Sequence, residues 1–165
     1  MPNITVIAHN IRSTHNVGAI FRTCEGFGVD KLILSGYTPH PKIPDDKRLP
    51  HEIEKTTKQI HKSALDAEEL VDFEYFEDLQ DWIDKNNQSD DPLPILALEQ
   101  ADNSVNLADF KSPDKFALLL GEEVAGIDKK YLEFCQTILE IPMHGQKESF
   151  NVSIACGIAL YALTS

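Results

Sequence analysis

At 165 residues the chain has the length of one domain with room for a real core, and its 42% hydrophobic content is ordinary for a globular protein. No apolar run reaches the roughly 20 residues that cross a bilayer, and the opening MPNITVIAHN lacks the basic and apolar regions of a secretory signal, so a cytoplasmic protein without a membrane anchor is expected. Fifteen Lys and Arg against 27 Asp and Glu give a net charge of −12, which excludes a nucleic-acid binder that is basic all over.

In chain order, Ile4–Ala8 is a short apolar run and a predicted strand. Asn16 is placed to cap a helix through Val17–Phe27, with Ala19, Ile20 and Cys24 on its apolar face and Gly26 and Gly28 at its end. Lys31–Leu34 reads as a second strand, which makes a β-α-β start and favours a parallel sheet. Residues 36–50 hold Gly36, Pro39, Pro41, Pro44 and Pro50 and are predicted to be a loop. Helical patterning resumes over Glu52–Leu70. Val71–Phe76 is a candidate strand, and Leu79, Trp82 and Ile83 share one face of a short helix before the polar turn Asn86–Pro92. Ile95–Leu98, Phe116–Leu120 and Thr137–Ile141 are compact apolar strands of the kind found in sheets covered on both faces. Asn151–Leu163 closes the chain as an apolar helix. Cys24, Cys135 and Cys156 form no C-x-x-C pair and are expected to be reduced apolar filler.

The charge is unevenly spread. Residues 1–60 carry eight basic and six acidic side chains, a net of +2, and 61–165 carry seven against 21, a net of −14. Fourteen acids in 66–109 face only Lys85, most simply as a solvated surface. Any contact with a phosphate chain is therefore expected from the N-terminal part, chiefly Arg12, Lys42, Lys47 and Arg48.

Three glycine-containing segments sit where strands meet loops. The first, His9 to Thr23, clusters polar groups after the first strand. Spacing alone favours a capping Asn16 and a surface Arg22 there, although a guanidinium in that place is also a phosphate fork. The second, Leu118-Leu119-Leu120-Gly121-Glu122-Glu123-Val124-Ala125-Gly126, ends a buried strand in a glycine turn, where backbone can approach a ligand as readily as it can simply turn. The third runs from Ile141-Pro142-Met143-His144-Gly145 to Ser149-Phe150-Asn151-Val152-Ser153, where Ser149 and Asn151 are also ordinary helix-capping types. No third glycine completes a dinucleotide fingerprint at Gly26-Phe27-Gly28, and there is no phosphate loop and no G-x-S-x-G. The six histidines lack metal-ligand spacing, so no metal is expected, and His9, His15 and His144 read as polar loop groups.

Together these segments resemble the SpoU/TrmH branch of the SPOUT RNA methyltransferases. Asn16-x-Gly18-x-x-x-Arg22-Thr23 approximates the first motif. Gly121, Glu123 and Gly126 match the second, and Ile141 to Gly145 with Ser149 to Ser153 match the third, in the family's order. Lys62-Ser63-Ala64-Leu65-Asp66-Ala67-Glu68 is similar to a further K-T-A-L-G-A-E stretch, with Asp66 in place of a usual glycine and Phe150 in place of a usual leucine.

The resemblance implies an α/β fold, a mostly parallel sheet flanked by helices with a deep C-terminal trefoil knot. It implies a single domain over 1–165 without an appended RNA-binding domain, and a homodimer with the active site at the subunit interface. S-adenosylmethionine is the implied co-substrate, held around Leu98, Gly121, Ile141, Met143 and Phe150. Arg22 is the implied catalytic group, as base or as stabiliser of the developing alkoxide, with Asn16, Glu123, Ser149 and Asn151 organising the site. RNA is the implied partner, transfer RNA being favoured over ribosomal RNA by analogy. Two other classes compete: a catalytically silent SPOUT-like dimer that binds RNA or cofactor, which the acidic balance keeps open and the intact Asn16, Arg22, Glu123, Ser149 and Asn151 argue against, and a Rossmann-type regulator, which the absence of a glycine-rich turn at Asn10–Ser13 disfavours.

Overall fold

The computed structural model describes all 165 residues. In chain order it contains β1 (Asn3–His9), α1 (Thr14–Gly26), β2 (Lys31–Ser35), α2 (Pro50–Ala64), α3 (Ala67–Leu70), β3 (Phe73–Phe76), α4 (Leu79–Asn87), β4 (Ile95–Leu98), β5 (Val105–Asn106), β6 (Lys115–Leu120), α5 (Lys129–Leu132), β7 (Thr137–Glu140) and α6 (Val152–Thr164). The seven strands form one sheet in the order β3-β2-β1-β6-β4-β7-β5, and every pairing is parallel. This is the expected parallel α/β sheet. No helix is long and apolar enough to cross a membrane.

The apolar runs follow from two-sided burial. Along β1 and β6, alternate residues face opposite layers. Val6, Ala8, Leu118 and Leu120 join a main core of 26 buried residues with Val17, Ile20, Phe21, Ile60, Cys156 and Leu160 from α1, α2 and α6. Ile7, Ala117 and Leu119 join a smaller core of 11 with Leu79, Trp82 and Ile83 of α4 and Tyr131 of α5. Cys24 and Cys156 are buried against one another in the main core, and burial pushes the half-buried Cys135 thiol up to about 11, in keeping with apolar filler.

Three local readings need correction. Helix α1 begins earlier than expected: Ser13, not Asn16, is its cap, accepting from Asn16 N at 3.1 Å. The helix predicted over Glu52–Leu70 is broken, because Leu65 and Asp66 both adopt left-handed backbone, with φ of 50° and 75°. That conformation suits the glycine usual at position 66, and aspartate tolerates it better than most residues. His9 is no loop residue but the buried end of β1, bonded through Nδ1 to Ser35 Oγ at 2.9 Å.

Helices α1 and α2 touch at Gly18, where a Cβ would run into Ser63 Oγ and the Ile60 carbonyl. The Ser63 hydroxyl donates to His15 O at 2.8 Å across the same contact. Because one obstacle is backbone, Gly18→Ala is expected to cost about 1–3 kcal/mol as overpacking. Thermal denaturation checks it, and an unchanged midpoint would mean the two helices separate freely.

Candidate active site

Strands β2 and β3 lie on one side of β1, whereas β6, β4 and β7 lie on the other. The direction in which strands are added to the sheet therefore reverses between β1 and β6, and in open α/β sheets such switch points leave a crevice beyond the carboxyl ends of the strands. Ala8 pairs with Leu120 at that edge, so the loops after β1 and β6 emerge side by side.

Asn16, in the first turn of the helix that follows β1, and Glu123, in the loop after β6, meet there. Asn16 is only 7% exposed, and its Nδ2 donates to Glu123 Oε1 at 3.1 Å. Its Oδ1 accepts from Asn151 Nδ2, also at 3.1 Å. Residues separated by 107 and 135 positions thus meet in one hydrogen-bonded chain. Asn151 also caps α6, its Oδ1 accepting from Ser153 N at 2.9 Å. Both readings of Asn151 hold together, since capping uses the oxygen and leaves the amide to bind Asn16.

A cavity of about 810 Å³ opens beside this chain, walled by the loops after β4, β6 and β7. Leu98, Gly121, Ile141 and Phe150, four of the expected cofactor residues, line it, as do Glu123 and Ser149. Met143 stands half-buried outside the lining. A Cβ on Gly121 would strike Ile127, so the turn after β6 closes only with glycine there. Six carboxylates line the cavity (Glu99, Asp102, Glu122, Glu123, Glu140 and Glu148) against Lys129 alone. That surface is negative and favours a cationic occupant.

Arg22 is not brought to this cluster. It lies on the exposed side of α1, about 9 Å along the axis from Asn16, and makes no hydrogen bond or ion pair. Its neighbour Thr23 abuts Gly157 of α6. Arg48, expected on an RNA-docking face, is committed internally. Its guanidinium donates to both carboxylate oxygens of Asp46 and to the carbonyls of His40 and Pro41. That fork holds the Asp46 carboxyl well below the usual carboxylate range and makes Arg48 a clamp for the 36–50 loop. Lys42 and Lys47 remain exposed, and Arg12 is exposed with Glu122 at 3.9 Å.

Two residues of the site escaped the sequence reading. Glu99 accepts from Ile127 N at 2.8 Å and from Gln100 N at 2.9 Å, tying the loop after β4 to the glycine turn. Gln100 Nε2 donates to Glu148 O at 2.7 Å, tying the same loop to the segment before α6. The available signal was positional: the two residues are the first and second after a buried strand, much as Gly121 and Ile141 directly follow theirs.

A model of the SpoU rRNA methylase family matches residues 3–161. The chain is 29% identical over 163 residues to the 23S rRNA (guanosine-2'-O-)-methyltransferase RlmB of Coxiella burnetii, a match covering 97% of this chain and 57% of that protein. It is 30% identical over 159 residues to the tRNA (guanosine(18)-2'-O)-methyltransferase of Aquifex aeolicus, covering 96% and 67%. The AdoMet-bound rRNA methyltransferase from Sinorhizobium meliloti superposes with a TM-score of 0.80 at 21% identity, covering 98% of this chain and 55% of that one. The chain thus spans a little over half the length of the Coxiella and Sinorhizobium proteins.

Proposed function

The chain belongs to the SpoU rRNA methylase family, and from that premise we propose that it is an S-adenosylmethionine-dependent RNA ribose 2′-O-methyltransferase. The observation that carries this reading is the Glu123–Asn16–Asn151 chain at the edge of the acidic cavity. Relatives named for both 23S rRNA and tRNA support RNA as the substrate. We take transfer RNA as the first substrate to test and the cytoplasm as the place of action. Family membership also implies the trefoil knot.

The cavity fits S-adenosylmethionine in size, at about 810 Å³, and in chemistry. Leu98, Ile141 and Phe150 offer apolar surface to an adenine ring, and the carboxylates offset a sulfonium and an ammonium charge. When bound, the co-substrate supplies an electrophilic methyl on sulfur, and no metal is needed for that chemistry.

The protein's own task is to make a ribose hydroxyl nucleophilic. Asn16 is locked on both sides of its amide, so the site is pre-organised without reorientation. Glu123 accepts from Asn16 and acts as organiser. Ser149, exposed on the cavity rim, is positioned to contact the ribose. A guanidinium offers donors and no acceptor, so Arg22 acts by stabilising the alkoxide and holding a neighbouring phosphate.

Arg22 has no partner in its own chain, and α6 carries an uncovered apolar face alongside it, which supports a homodimer in which Arg22 serves the site across the interface. The −12 charge keeps open one competing reading, a silent binding module. Labelled methyl transfer onto total tRNA and rRNA separates the two. Calorimetry is expected to show binding of S-adenosylmethionine and of its demethylated product. Absence of binding for both at millimolar concentration would remove the methyltransferase reading.

A further inference from the structure

A second cleft, of about 890 Å³, lies on the other side of the 122–129 loop, beyond the carboxyl ends of β1 and β2. Glu122, Ala125, Gly126, Ile127 and Lys129 line both cavities, so the two share a wall. The methyl-transfer reading makes no use of this cleft.

Its floor is built around His9, which is 7% exposed. The His9 ring bonds to Ser35 Oγ through Nδ1 and meets Tyr131 edge-on at 5.1 Å, while its Nε2 has no partner in the protein. Burial lowers the His9 pKa, so the ring is neutral near pH 7 and suits an uncharged ligand. The Nε2 nitrogen is left for a ligand or water in the cleft to meet.

Its rim carries an aromatic platform. Tyr37 is 53% exposed, yet its backbone is fixed. Asn10 Oδ1 accepts from Tyr37 N at 3.0 Å, and Asn10 itself holds a φ of 55° to do so. Tyr75 donates to Gly36 O at 2.6 Å and stacks on His40 at 4.0 Å, bracing the same turn from below. The Arg12 guanidinium lies 5.8 Å from the Tyr37 ring centroid, with Glu122 at 3.9 Å, and its side chain is largely exposed. An exposed, immobilised aromatic beside a guanidinium is the usual platform for an unstacked base.

The remaining groups decide what the platform receives. Glu77, Asp78, Glu122 and Asp128 line the cleft, and Glu77 has no hydrogen-bond partner. With Lys129 and Lys130 also in the lining, the cleft keeps a small negative excess, and its carboxylates can accept hydrogen bonds from amino groups on a base edge. We propose that this cleft holds an unpaired RNA nucleobase bearing an amino group, stacked on Tyr37 and Arg12, while the neighbouring ribose sits across the shared wall near Glu123. The inference rests on the RNA methyltransferase reading for its ligand, and it assigns Tyr37, Arg12, His9 and Glu77 to base selection rather than to chemistry.

Short oligo(rC) and oligo(rU) strands test it by fluorescence anisotropy, because cytosine carries the amino group and uracil does not. The full chain is expected to bind oligo(rC) more tightly. Tyr37→Ala should weaken oligo(rC) binding about tenfold, in line with the loss of one stacked base, while Tyr37→Phe keeps it. Glu77→Gln should narrow the difference between the two strands. S-adenosylhomocysteine affinity, read by calorimetry, should be unchanged in all three variants, since none lines the cofactor cavity. Equal binding of both strands by the wild type, no binding of either, or a Tyr37→Ala variant that binds oligo(rC) as the wild type does would each overturn the base cleft. Failure of the wild type to bind S-adenosylhomocysteine would instead overturn the methyltransferase reading and leave the strand comparison standing.

Discussion

Arg22→Ala is expected to lower methyl transfer by about 10²–10³-fold while leaving S-adenosylmethionine affinity and thermal stability close to wild type. The separation follows from placement. Arg22 is exposed on α1, makes no contact that the fold depends on, and lies outside the cavity lining. In the proposed role, removing it takes away only a positive charge acting on the developing alkoxide, so the loss should fall on kcat rather than on co-substrate binding. Asn16→Ala gives a contrasting signature. It leaves Glu123 and Asn151 without their shared partner, so about 1–3 kcal/mol of stability should be lost along with activity. Normal turnover by Arg22→Ala would show the catalytic assignment to be wrong, and loss of co-substrate binding would move Arg22 to another site.

The second large effect concerns association. Helix α6 is apolar all round, which is the pattern of a helix covered on every side. Val152, Cys156, Ala159, Leu160 and Leu163 face the core, while Ile154, Ile158 and Tyr161, spaced i, i+4, i+7, stand 55%, 36% and 68% exposed. Leu160 is thus a core residue, and Ile154 and Ile158 are free for an interface. Light scattering is expected to give the mass of a dimer for the wild type and of a monomer for the Ile154→Asp, Ile158→Asp double variant, with helical content retained. Methyl transfer should vanish with the dimer, because Arg22 and the cavity lie apart within one chain. Mixing Arg22→Ala chains with Glu123→Ala chains should partly restore activity, each supplying what the other lacks. A monomeric wild type at working concentration, or an active monomeric variant, would contradict the shared site.

Much of the fold is written in local pattern. The strands at 95–98 and 116–120 were legible because both faces of the sheet are covered, which leaves unbroken apolar runs between turns. The order of the three motif segments likewise carried the family, since it depends on residue types and spacing alone. The two-residue β5 and four-residue α5 were invisible, being too short to have a period; β5 exists only because β7 offers it hydrogen bonds.

The site shows the division most clearly. Ser13 and Asn16 are both good capping types three residues apart, and local chemistry does not choose between them. The tertiary structure chooses, because Asn16 meets Glu123 and Asn151 from distant loops and Ser13 is left to cap the helix. Arg48 in a polar loop has the sequence of a phosphate contact, yet the return of the chain at His40 and Pro41 turns its fork inward. His9 sits among polar residues, yet its pairing with Ser35 buries it at the end of β1. Residue type and spacing determined which elements form and which groups are available for chemistry. Which of those groups face one another was decided only by chain crossings that bring residues over a hundred positions apart within hydrogen-bond reach, since side-chain hydrogen bonds act over about 3 Å and sequence pattern is blind to that distance.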